Sequence, residues 1–396
     1  MLSVGDARQR IIAAFRPVDK ESIALETSSD RVLAEDVRAT QSQPPFPVSA
    51  MDGYAARSDD LVKIPARLKL IGNAPAGHPF AGKVGAGETV RLFTGSVVPD
   101  GADTIVIQEK AKPDGDYVVL EVSAPSGKHI RVAGLDFKAG DILARAGKKL
   151  TGRDLALLAA DDQARLTVRR KPVIAFASTG DELSKPGEPR KPGGIVASSV
   201  YGLSAQIEKW GGQPKDLGIL PDTAEAIAGL AAAATGADLI VTLGGASVGD
   251  HDLIQSALGP QGFALDFWKI AMRPGRPLIF GRLKETPLLG LPGNPVSSLV
   301  CAQLFLKPAI AAMLGANTAT NLLAARTVRN LAANDGREDY MRARLMLRLG
   351  EYWADAFPVQ DSGMQLPLAA ADCLIVRAPD APALGAGEKI QILLLD

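Results

Sequence analysis

From about Pro172 onward, short apolar runs alternate with helical segments, and this alternation restricts the fold more than any other feature of the sequence. Strands that are buried on both faces of a parallel sheet have continuous apolar sequences, and a crossover helix connects each strand to the next one. The runs of this kind are PVIAFAS (172–178), DLGIL (216–220), DLIVTL (238–243) and TPLLGL (286–291). The sequence therefore predicts a central doubly wound α/β domain within a multidomain α/β chain.

Capping residues predict where the helices of this domain begin and end. The segment 199–210 is helical and stops at Gly211 and Gly212. Asp222 or Thr223 caps a helix that runs to about residue 234. After the last strand, Asn294 is predicted as an N-cap, with Pro295 at the first helical position.

The flanking regions have a different pattern. The first 170 residues are rich in glycine and proline with short strand-like pieces, and after about Thr320 strand-length alternation continues with little helix. A chain of 396 residues is also too long for one ordinary core. We therefore expect β-rich regions on both sides of the central domain.

Composition excludes several classes of protein. Lys plus Arg and Asp plus Glu both number 44, so no net charge directs the chain to nucleic acid or to a membrane surface. The two cysteines and three histidines have no zinc-ligand spacing, and the N-terminus lacks the pattern of a signal peptide. No run is expected to reach transmembrane length. The composition predicts a cytoplasmic protein without nucleic-acid or membrane partners.

Polar residues and glycines follow each predicted strand. These segments are STGDEL (178–183, with Glu182), Pro221–Asp222, GGASVGDHD (244–252, with Asp252) and PGNPVSS (292–298). Each has a structural alternative: Asp222 could be a plain helix cap, Glu182 a solvated loop residue, and the last segment a stiff turn. Because ligands of open parallel sheets bind beyond the carboxyl ends of the strands, their shared position favours a functional site.

Two further segments could bind anions. The loop after the third strand can present free N–H groups, but it matches neither the Walker A loop nor the dinucleotide fingerprint. Lys269, Arg273 and Arg276 flank a Pro-Gly turn, where their charge suits an oxyanion, or forms only a basic surface turn.

The N-terminal half contributes three more candidates. Asp52 precedes Gly53, Thr94 precedes Gly95, and Asp136 ends the segment IRVAGLD. A simple turn would explain Asp52 equally well. Together they offer carboxylate and hydroxyl groups that a second domain or a second protomer could bring to the edge of the sheet.

In this order, the segments SAMDGYA, RLFTG, STGDEL, LGGASVGDHD, RPGRP and GLPGNPVSS resemble the molybdopterin molybdenumtransferase family, which includes the bacterial MoeA type and the E domain of gephyrin. The resemblance implies a central pterin-binding α/β domain with a β-rich inserted domain, an extended N-terminal segment and a small C-terminal β-domain. The implied bounds are 1–26 with 38–50 and 137–170 for the extended N-terminal and linker domain, 27–37 with 51–136 for the inserted domain, 171–317 for the pterin-binding domain, and 318–396 for the C-terminal domain.

The resemblance also implies a reaction. Family members place molybdenum from molybdate on the dithiolene of adenylylated molybdopterin and release AMP with the help of Mg²⁺. It implies a homodimer with shared sites, and molybdopterin adenylyltransferase and molybdoenzyme maturation proteins as partners. The implied catalytic residues are Asp52, Thr94, Asp136, Glu182, Asp222 and Asp252, the last three also being candidate metal ligands. The implied substrate-binding residues are Gly244, Gly245, Ser247, Gly249, Lys269, Arg273, Arg276, Pro292 and Pro295.

The sequence departs from the family pattern at three places. Ala246 replaces a larger β-branched residue, both cations of RPGRP are Arg where Lys is frequent, and Leu366–Pro367 replaces paired serines, so Ser362 is not assigned to the site. Two alternatives stay open: a gephyrin-like scaffold, against which the retained carboxylates argue, and a molybdopterin adenylyltransferase, which would not need the N-terminal half.

Overall fold

The computed structural model describes residues 1–244 and 250–395, without the side chains of 250–253. The first 170 residues, all of them described, contain two α-helices and twelve strands. They are α1 (Val4–Ala13) and α2 (Gly152–Ala160), and β1 (Lys20–Ala24), β2 (Val37–Arg38), β3 (Val48–Ser49), β4 (Gly53–Ala56), β5 (Ala66–Ala74), β6 (Glu88–Leu92), β7 (Thr104–Ile107), β8 (Ala111–Asp114), β9 (Tyr117–Leu120), β10 (Ile130–Arg131), β11 (Ile142–Ala144) and β12 (Arg165–Arg169).

Six of these strands form the β-rich inserted domain, in the order β7-β4-β6-β5-β9-β8. Strand β4 lies between β7 and β6, where a Cβ atom at Gly53 would lie only 2.2 Å from the carbonyl oxygen of Val106. Only glycine allows this close approach of two backbones. Because Gly53 pairs with Leu92, the sheet places Asp52, just before β4, beside the segment that follows β6.

The helix α1 belongs to the core of the central domain. Ser3 caps it by accepting a hydrogen bond from the backbone N–H of Asp6 at 3.1 Å. Its buried side chains Ala7 and Ile11 lie in the same apolar cluster as residues of the central sheet. The N-terminal segment thus covers part of the domain that follows it by more than 150 residues.

The central region has nine strands and five helices among its described residues. They are β13 (Val173–Thr179), β14 (Leu183–Ser184), β15 (Ile195–Val196), β16 (Gln213–Leu220), β17 (Leu239–Leu243), β18 (Phe263–Lys269), β19 (Met272–Arg273), β20 (Pro277–Leu283) and β21 (Thr286–Leu291), and α3 (Ser199–Lys209), α4 (Ala224–Ala233), α5 (Asp250–Leu258), α6 (Pro295–Cys301) and α7 (Lys307–Met313). Each strand and helix predicted from the apolar runs of this region is present.

The central sheet has the order β16-β13-β17-β21-β20-β18. The first four strands pair in parallel, and β20 pairs antiparallel with both of its neighbours, β21 and β18. Alternate residues of β13 face opposite sides. Phe176 lies in a cluster with residues of α3 and α6, whereas Ala175 and Ala177 lie in a cluster with residues of α4 and α5. Helices therefore cover both faces, which confirms the doubly wound fold predicted from the sequence.

A long apolar helical stretch follows the sheet. A π-helical segment (Ala302–Leu306) joins α6 to α7, so that Pro295–Met313 runs for 19 residues. By length and composition this stretch could cross a membrane, which corrects the expectation that no run reaches that length. However, 78% of its most apolar window is buried inside the protein, as expected for a core helix.

The C-terminal region forms a closed barrel. Its elements are β22 (Leu322–Thr327), β23 (Glu338–Arg348), β24 (Glu351–Ala356), β25 (Cys373–Arg377), β26 (Lys389–Leu394) and the short helix α8 (Gln365–Ala369). The strands follow the order β23-β24-β22-β26-β25, and β25 pairs again with β23. Strand β19 also pairs with β23, so the Pro-Gly turn of the central domain is attached to the barrel.

Candidate active site at the edge of the central sheet

A cavity of about 380 Å³ lies where the parallel strands β13, β17 and β21 end. It brings together five of the residues predicted from the sequence. They are Glu182, Asp222, Gly244, Pro292 and Pro295. This is the position at which open parallel sheets bind ligands.

Glu182 reaches the cavity from the turn after β13, and a glycine makes room for it. A Cβ atom at Gly180 would lie 2.6 Å from Oε2 of Glu182 and 2.8 Å from Oε1. Gly180 has a φ of 152°, which residues with a side chain rarely adopt. The order Thr-Gly-Asp-Glu therefore folds the carboxylate of Glu182 back over a backbone without a side chain.

Asp222 lines the same cavity from the end of β16. The N-cap of α4 is Thr223, whose hydroxyl accepts a hydrogen bond from the backbone N–H of Ala226 at 3.2 Å. Of the two caps predicted, Thr223 is the correct one. The backbone N–H of Asp222 donates to Oδ1 of Asp181 at 3.4 Å, which ties the two acidic turns together.

Closely spaced backbones form the floor of the cavity. Gly244 has a φ of 96°, and a Cβ atom there would lie 2.8 Å from the carbonyl oxygen and 2.9 Å from Oγ1 of Thr179. A Cβ atom at Gly293 would approach the Cα of Gly244 at 3.5 Å. Oγ1 of Thr179 is buried, and none of the described residues forms a hydrogen bond with it. The floor is thus a narrow cradle of glycine backbone, in which a side chain on Gly244 would collide with Thr179.

Hydroxyl groups and helix N-termini make up much of the wall. Ser198 and Ser199 lie at the beginning of α3, and Ser297 lies in the first turn of α6. Both N-termini direct partial positive charge at the cavity. The sequence analysis missed Ser198 and Ser199; the small and hydroxyl-bearing run before the predicted helix was the available signal.

A segment of the C-terminal barrel reaches the mouth of the cavity. Asn294 is at the N-cap position of α6, but its side chain makes no capping hydrogen bond, which corrects the predicted role. Instead Asn294 Nδ2 donates to Oγ of Ser362 at 2.9 Å, and the backbone N–H of Val296 donates to the carbonyl of Ser362 at 3.2 Å. Gln365 Nε2 donates to Oγ of Ser198 at 2.9 Å. Ser362, which the sequence pattern did not assign to the site, therefore contacts a residue of the wall.

The three predicted cations, Lys269, Arg273 and Arg276, each have different neighbours, and none of them lines the cavity. Arg273 donates to Oδ2 of Asp339 at 2.5 Å, and this hydrogen bond raises the pKa of the guanidinium. Lys269 Nζ lies 3.6 Å from the centroid of the Trp268 ring. Arg276 is exposed in the turn, next to Pro277, which does line the cavity.

Asp52 and Thr94 form a pair on the inserted domain. Oδ1 of Asp52 accepts hydrogen bonds from the backbone N–H of Thr94 at 2.7 Å and from its hydroxyl at 2.8 Å. These bonds, with a smaller contribution from the charge of Arg91, hold the pKa of Asp52 below its usual range. The carboxylate is thus kept ionised, but neither residue lines the cavity of the central sheet.

Asp136 is exposed beside an apolar groove of the N-terminal half. The groove is also lined by Phe46, Gly95 and Leu135. Phe46 and Leu135 are each 59% exposed, which is unusual for large apolar side chains. Like Asp52 and Thr94, Asp136 does not line the central cavity.

Four predicted site residues lie wholly or partly outside the described part of the chain. Gly245, Ser247 and Gly249 belong to residues 245–249, and for Asp252 only the backbone is described. Within the described residues, no group of three or more His, Cys, Asp or Glu side chains is arranged to hold a metal ion.

Family models match almost the whole chain. Residues 2–160 match the MoeA N-terminal region (domain I and II), residues 175–312 a probable molybdopterin binding domain, and residues 324–395 the MoeA C-terminal region (domain IV). The molybdopterin molybdenumtransferase of Haemophilus influenzae is 34% identical over 99% of this chain and 98% of its own length. The chain belongs to the molybdopterin molybdenumtransferase family.

Other members of the family agree with this assignment. The molybdopterin molybdenumtransferase of Bacillus subtilis is 30% identical over 100% of this chain and 94% of its own length. A crystal structure of the molybdopterin biosynthesis MoeA protein of Pyrococcus horikoshii covers 100% of both chains with a TM-score of 0.86 at 28% identity. The family, the fold class and the enzyme class predicted from the sequence are confirmed.

The enzyme therefore acts in molybdenum cofactor biosynthesis. The matches to the N-terminal and C-terminal regions of MoeA also decide against a molybdopterin adenylyltransferase, which was expected to lack the N-terminal half. The domain bounds given above and the roles of individual residues stay predictions.

Proposed function

We propose that the enzyme transfers molybdenum from molybdate to the dithiolene of adenylylated molybdopterin, with Mg²⁺-dependent release of AMP. One observation carries this proposal: a cavity at the carboxyl edge of the sheet holds two carboxylates, a glycine cradle and two helix N-termini. The cradle and the N-termini suit a phosphorylated substrate, since backbone N–H groups at helix N-termini bind phosphate.

The donor set of the cavity fits Mg²⁺. Glu182 and Asp222 supply hard carboxylate oxygens, and Mg²⁺ commonly takes one or two protein carboxylates together with water and substrate phosphates. No Lys or Arg is among the described residues that line this cavity, so its described lining offers no positive side chain to anionic phosphates. A bound Mg²⁺ would supply that charge and hold the phosphates.

Other residues of the cavity would bind the substrate and shape the wall around it. Ser198, Ser199 and Ser297 offer hydroxyl groups to phosphate or pterin, and Gly244 lets the substrate approach the backbone. Pro292 and Pro295 fix the wall before the substrate arrives. The segment that carries Ser362 contacts Asn294 and Val296 at the mouth, where it would limit the entry of water.

We propose that the enzyme is a homodimer in which each site uses both copies. Asp52, Thr94 and Asp136 do not line the cavity of their own chain. Asp136 lines a groove with exposed Phe46 and Leu135, and Gly95, the residue after Thr94, lines the same groove. Contact with a second copy would bury these apolar side chains. In the dimer, Asp52 and Asp136 would face the cavity of the partner.

The cytoplasm is the proposed location. Cys301 and Cys373 are both free thiols and both buried, as expected for a protein of a reducing compartment. A molybdopterin adenylyltransferase that supplies the substrate and molybdoenzyme maturation proteins that accept the product are the proposed partners. A scaffold function would be additional to the enzymatic one.

Measurement of AMP released from adenylylated molybdopterin tests this function. With Mg²⁺ and molybdate we expect release of AMP and a product that activates a molybdenum-free apo-enzyme. Without molybdate or without Mg²⁺, active product should not form. Binding of the pterin without turnover, under conditions in which a relative is active, would contradict the proposal.

A further inference from the structure

The barrel segment at the mouth of the central cavity is anchored by a buried arginine. Arg342, on β23, is 1% exposed, and its Nη1 donates to the carbonyl oxygens of Asp361 at 2.8 Å and Met364 at 3.2 Å. The side chain of Gln360 accepts a hydrogen bond from the backbone N–H of Arg342 at 2.9 Å. Hydrogen bonds from a charged donor are stronger than those between neutral groups. The backbone of residues 361–364 is therefore held in one position on the barrel.

Gln365, the next residue of this segment, contacts the wall of the central cavity. Its Nε2 donates to Oγ of Ser198 at 2.9 Å. Ser198 lines the cavity and stands at the N-cap position of α3, 167 residues away in the sequence. A side chain of the barrel thus bonds directly to a hydroxyl group of the central site.

Ser198 does not cap the helix that it begins. A serine at this position usually has an extended backbone, and its side chain accepts a hydrogen bond from a backbone N–H of the first turn. Ser3 of α1 and Thr223 of α4 follow this rule. Ser198 instead has helical angles, φ −75° and ψ −29°, and its side chain makes no capping bond to the described residues of α3. The Ser198 hydroxyl therefore leaves the N–H groups of the first turn to other partners.

The bond from Gln365 restricts how the Ser198 hydroxyl can act. A hydroxyl group has one O–H donor and two acceptor lone pairs. Since Nε2 of Gln365 occupies one lone pair, the O–H stays able to donate and points away from the amide. Phosphate oxygens accept hydrogen bonds from hydroxyl groups and from the N–H groups of a helix N-terminus. Ser198 and the first turn of α3 can therefore bind the same phosphate group.

We propose that Gln365 is a positioning residue for phosphate binding in the central cavity. It holds the Ser198 hydroxyl as a donor beside the first turn of α3, so that both bind one phosphate group of the substrate. Gln365 acts through Ser198 and does not need to contact the substrate itself. This inference rests on the proposed function, because it requires that the cavity takes a phosphorylated substrate.

A double-mutant cycle tests the inference without turnover. The full-length wild type, Gln365→Met, Ser198→Ala and the double variant are titrated with inorganic pyrophosphate in the presence of Mg²⁺, and binding is measured by calorimetry. We expect Gln365→Met to weaken binding about fivefold, the size expected for the loss of one hydrogen bond, and to have no further effect in the Ser198→Ala background. An equal effect in both backgrounds, or no binding to the wild type, would overturn the inference.

A matched control and the melting temperature separate positioning from a structural role. Gln391→Met changes an exposed glutamine of the same barrel, on β26 and outside the cavity, and should leave binding unchanged. Gln365→Met should melt at the temperature of the wild type, because Gln365 is exposed. A lower melting temperature with unchanged binding of pyrophosphate would show that the bond to Ser198 only joins the barrel to the central domain, and would overturn the inference.

Steady-state kinetics distinguish this inference from the proposed function. Gln365→Met should raise KM for adenylylated molybdopterin about fivefold and leave kcat unchanged, because a bond made equally in the ground state and the transition state is lost. Normal release of AMP by the wild type with an unchanged KM in Gln365→Met would overturn the inference alone. Binding of pyrophosphate that follows the cycle, in a wild type that releases no AMP, would support the inference and contradict the proposed function.

Discussion

The predicted catalytic residues lie in two opposite settings. One is the cavity of the central sheet, and the other is the surface of the N-terminal half that carries Asp52, Thr94 and Asp136 (the Asp52 surface). The cavity is enclosed by small residues and contains Glu182 and Asp222. The Asp52 surface is open: it carries the ionised Asp52, and its Asp136 lies beside exposed apolar side chains. One region resembles a complete pocket and the other half of an interface. The difference supports the proposal that two copies of the chain together form one site.

The largest effect is expected from the cavity carboxylates. Glu182→Gln and Asp222→Asn should each lower kcat/KM by about 100-fold or more, the size found when one group that controls charge in the transition state is lost. Glu208→Gln, on the exposed face of α3, is the matched control and should keep full activity. Steady-state release of AMP measures all three. Near-normal activity in both carboxylate variants would show that the cavity is not the catalytic site.

Next in size is the effect of Gly180→Ala. The new Cβ would lie 2.6 Å from Oε2 of Glu182 and displace the carboxylate, so we expect turnover to fall about tenfold. Gly187→Ala is the control, because Gly187 also has a positive φ, of 83°, but a Cβ atom there would meet no other atom within 4 Å. Both variants should lose thermal stability, and only Gly180→Ala should lose activity. Equal loss of activity in both glycine variants would show that Gly180 does not position the Glu182 carboxylate for the reaction.

A smaller effect is expected at the open surface. Leu135→Asp should weaken the proposed dimer about tenfold, since one large apolar side chain can contribute that much to an interface. Activity should then fall several-fold at low protein concentration and recover at high concentration. Val62→Asp, at an apolar side chain that is 78% exposed elsewhere in the inserted domain, should have no such effect. Sedimentation and activity are measured over the same concentrations, and an unchanged dimer would contradict the proposed interface.

The smallest effect concerns the pKa of Asp52. Thr94→Val removes the hydroxyl that donates to Oδ1, so the pKa of Asp52 should rise from its lowered value toward the ordinary 3.8. Because the ionised form is lost as the pH falls through the pKa, that loss should begin at a higher pH in the variant. Thr94→Ser keeps the hydroxyl and should titrate like the wild type. NMR titration of the carboxyl carbon checks this, and an unchanged pKa in Thr94→Val would show that the hydroxyl does not stabilise the carboxylate.

Local sequence signals were sufficient for the central fold and for part of the site. The apolar runs predicted β13 and β17 to within a residue or two, and the rule for strand ends brought Glu182 and Asp222 to one edge. These features depend on hydrophobic periodicity and sheet topology, and both can be predicted from short segments of the sequence.

Long-range contacts could not be predicted in the same way. The side chain of Asn294 bonds to Ser362, 68 residues away, instead of capping α6. Arg273 pairs with Asp339 because β19 joins the barrel, which no local pattern indicates. Closure of the barrel through β23 and β25 likewise depends on distant strands. Such choices are decided by packing between domains rather than by the propensity of one segment.

The most direct test of the central claim is complementation between two inactive variants. Asp52→Ala and Asp222→Ala are prepared separately, mixed in equal amounts, allowed to exchange subunits, and assayed for AMP release. If each site uses Asp222 of one copy and Asp52 of the other, half of the dimers are mixed and contain one intact site, so about a quarter of the wild-type activity should return. If exchange is verified and the mixture stays as inactive as its components, the site is not shared between copies.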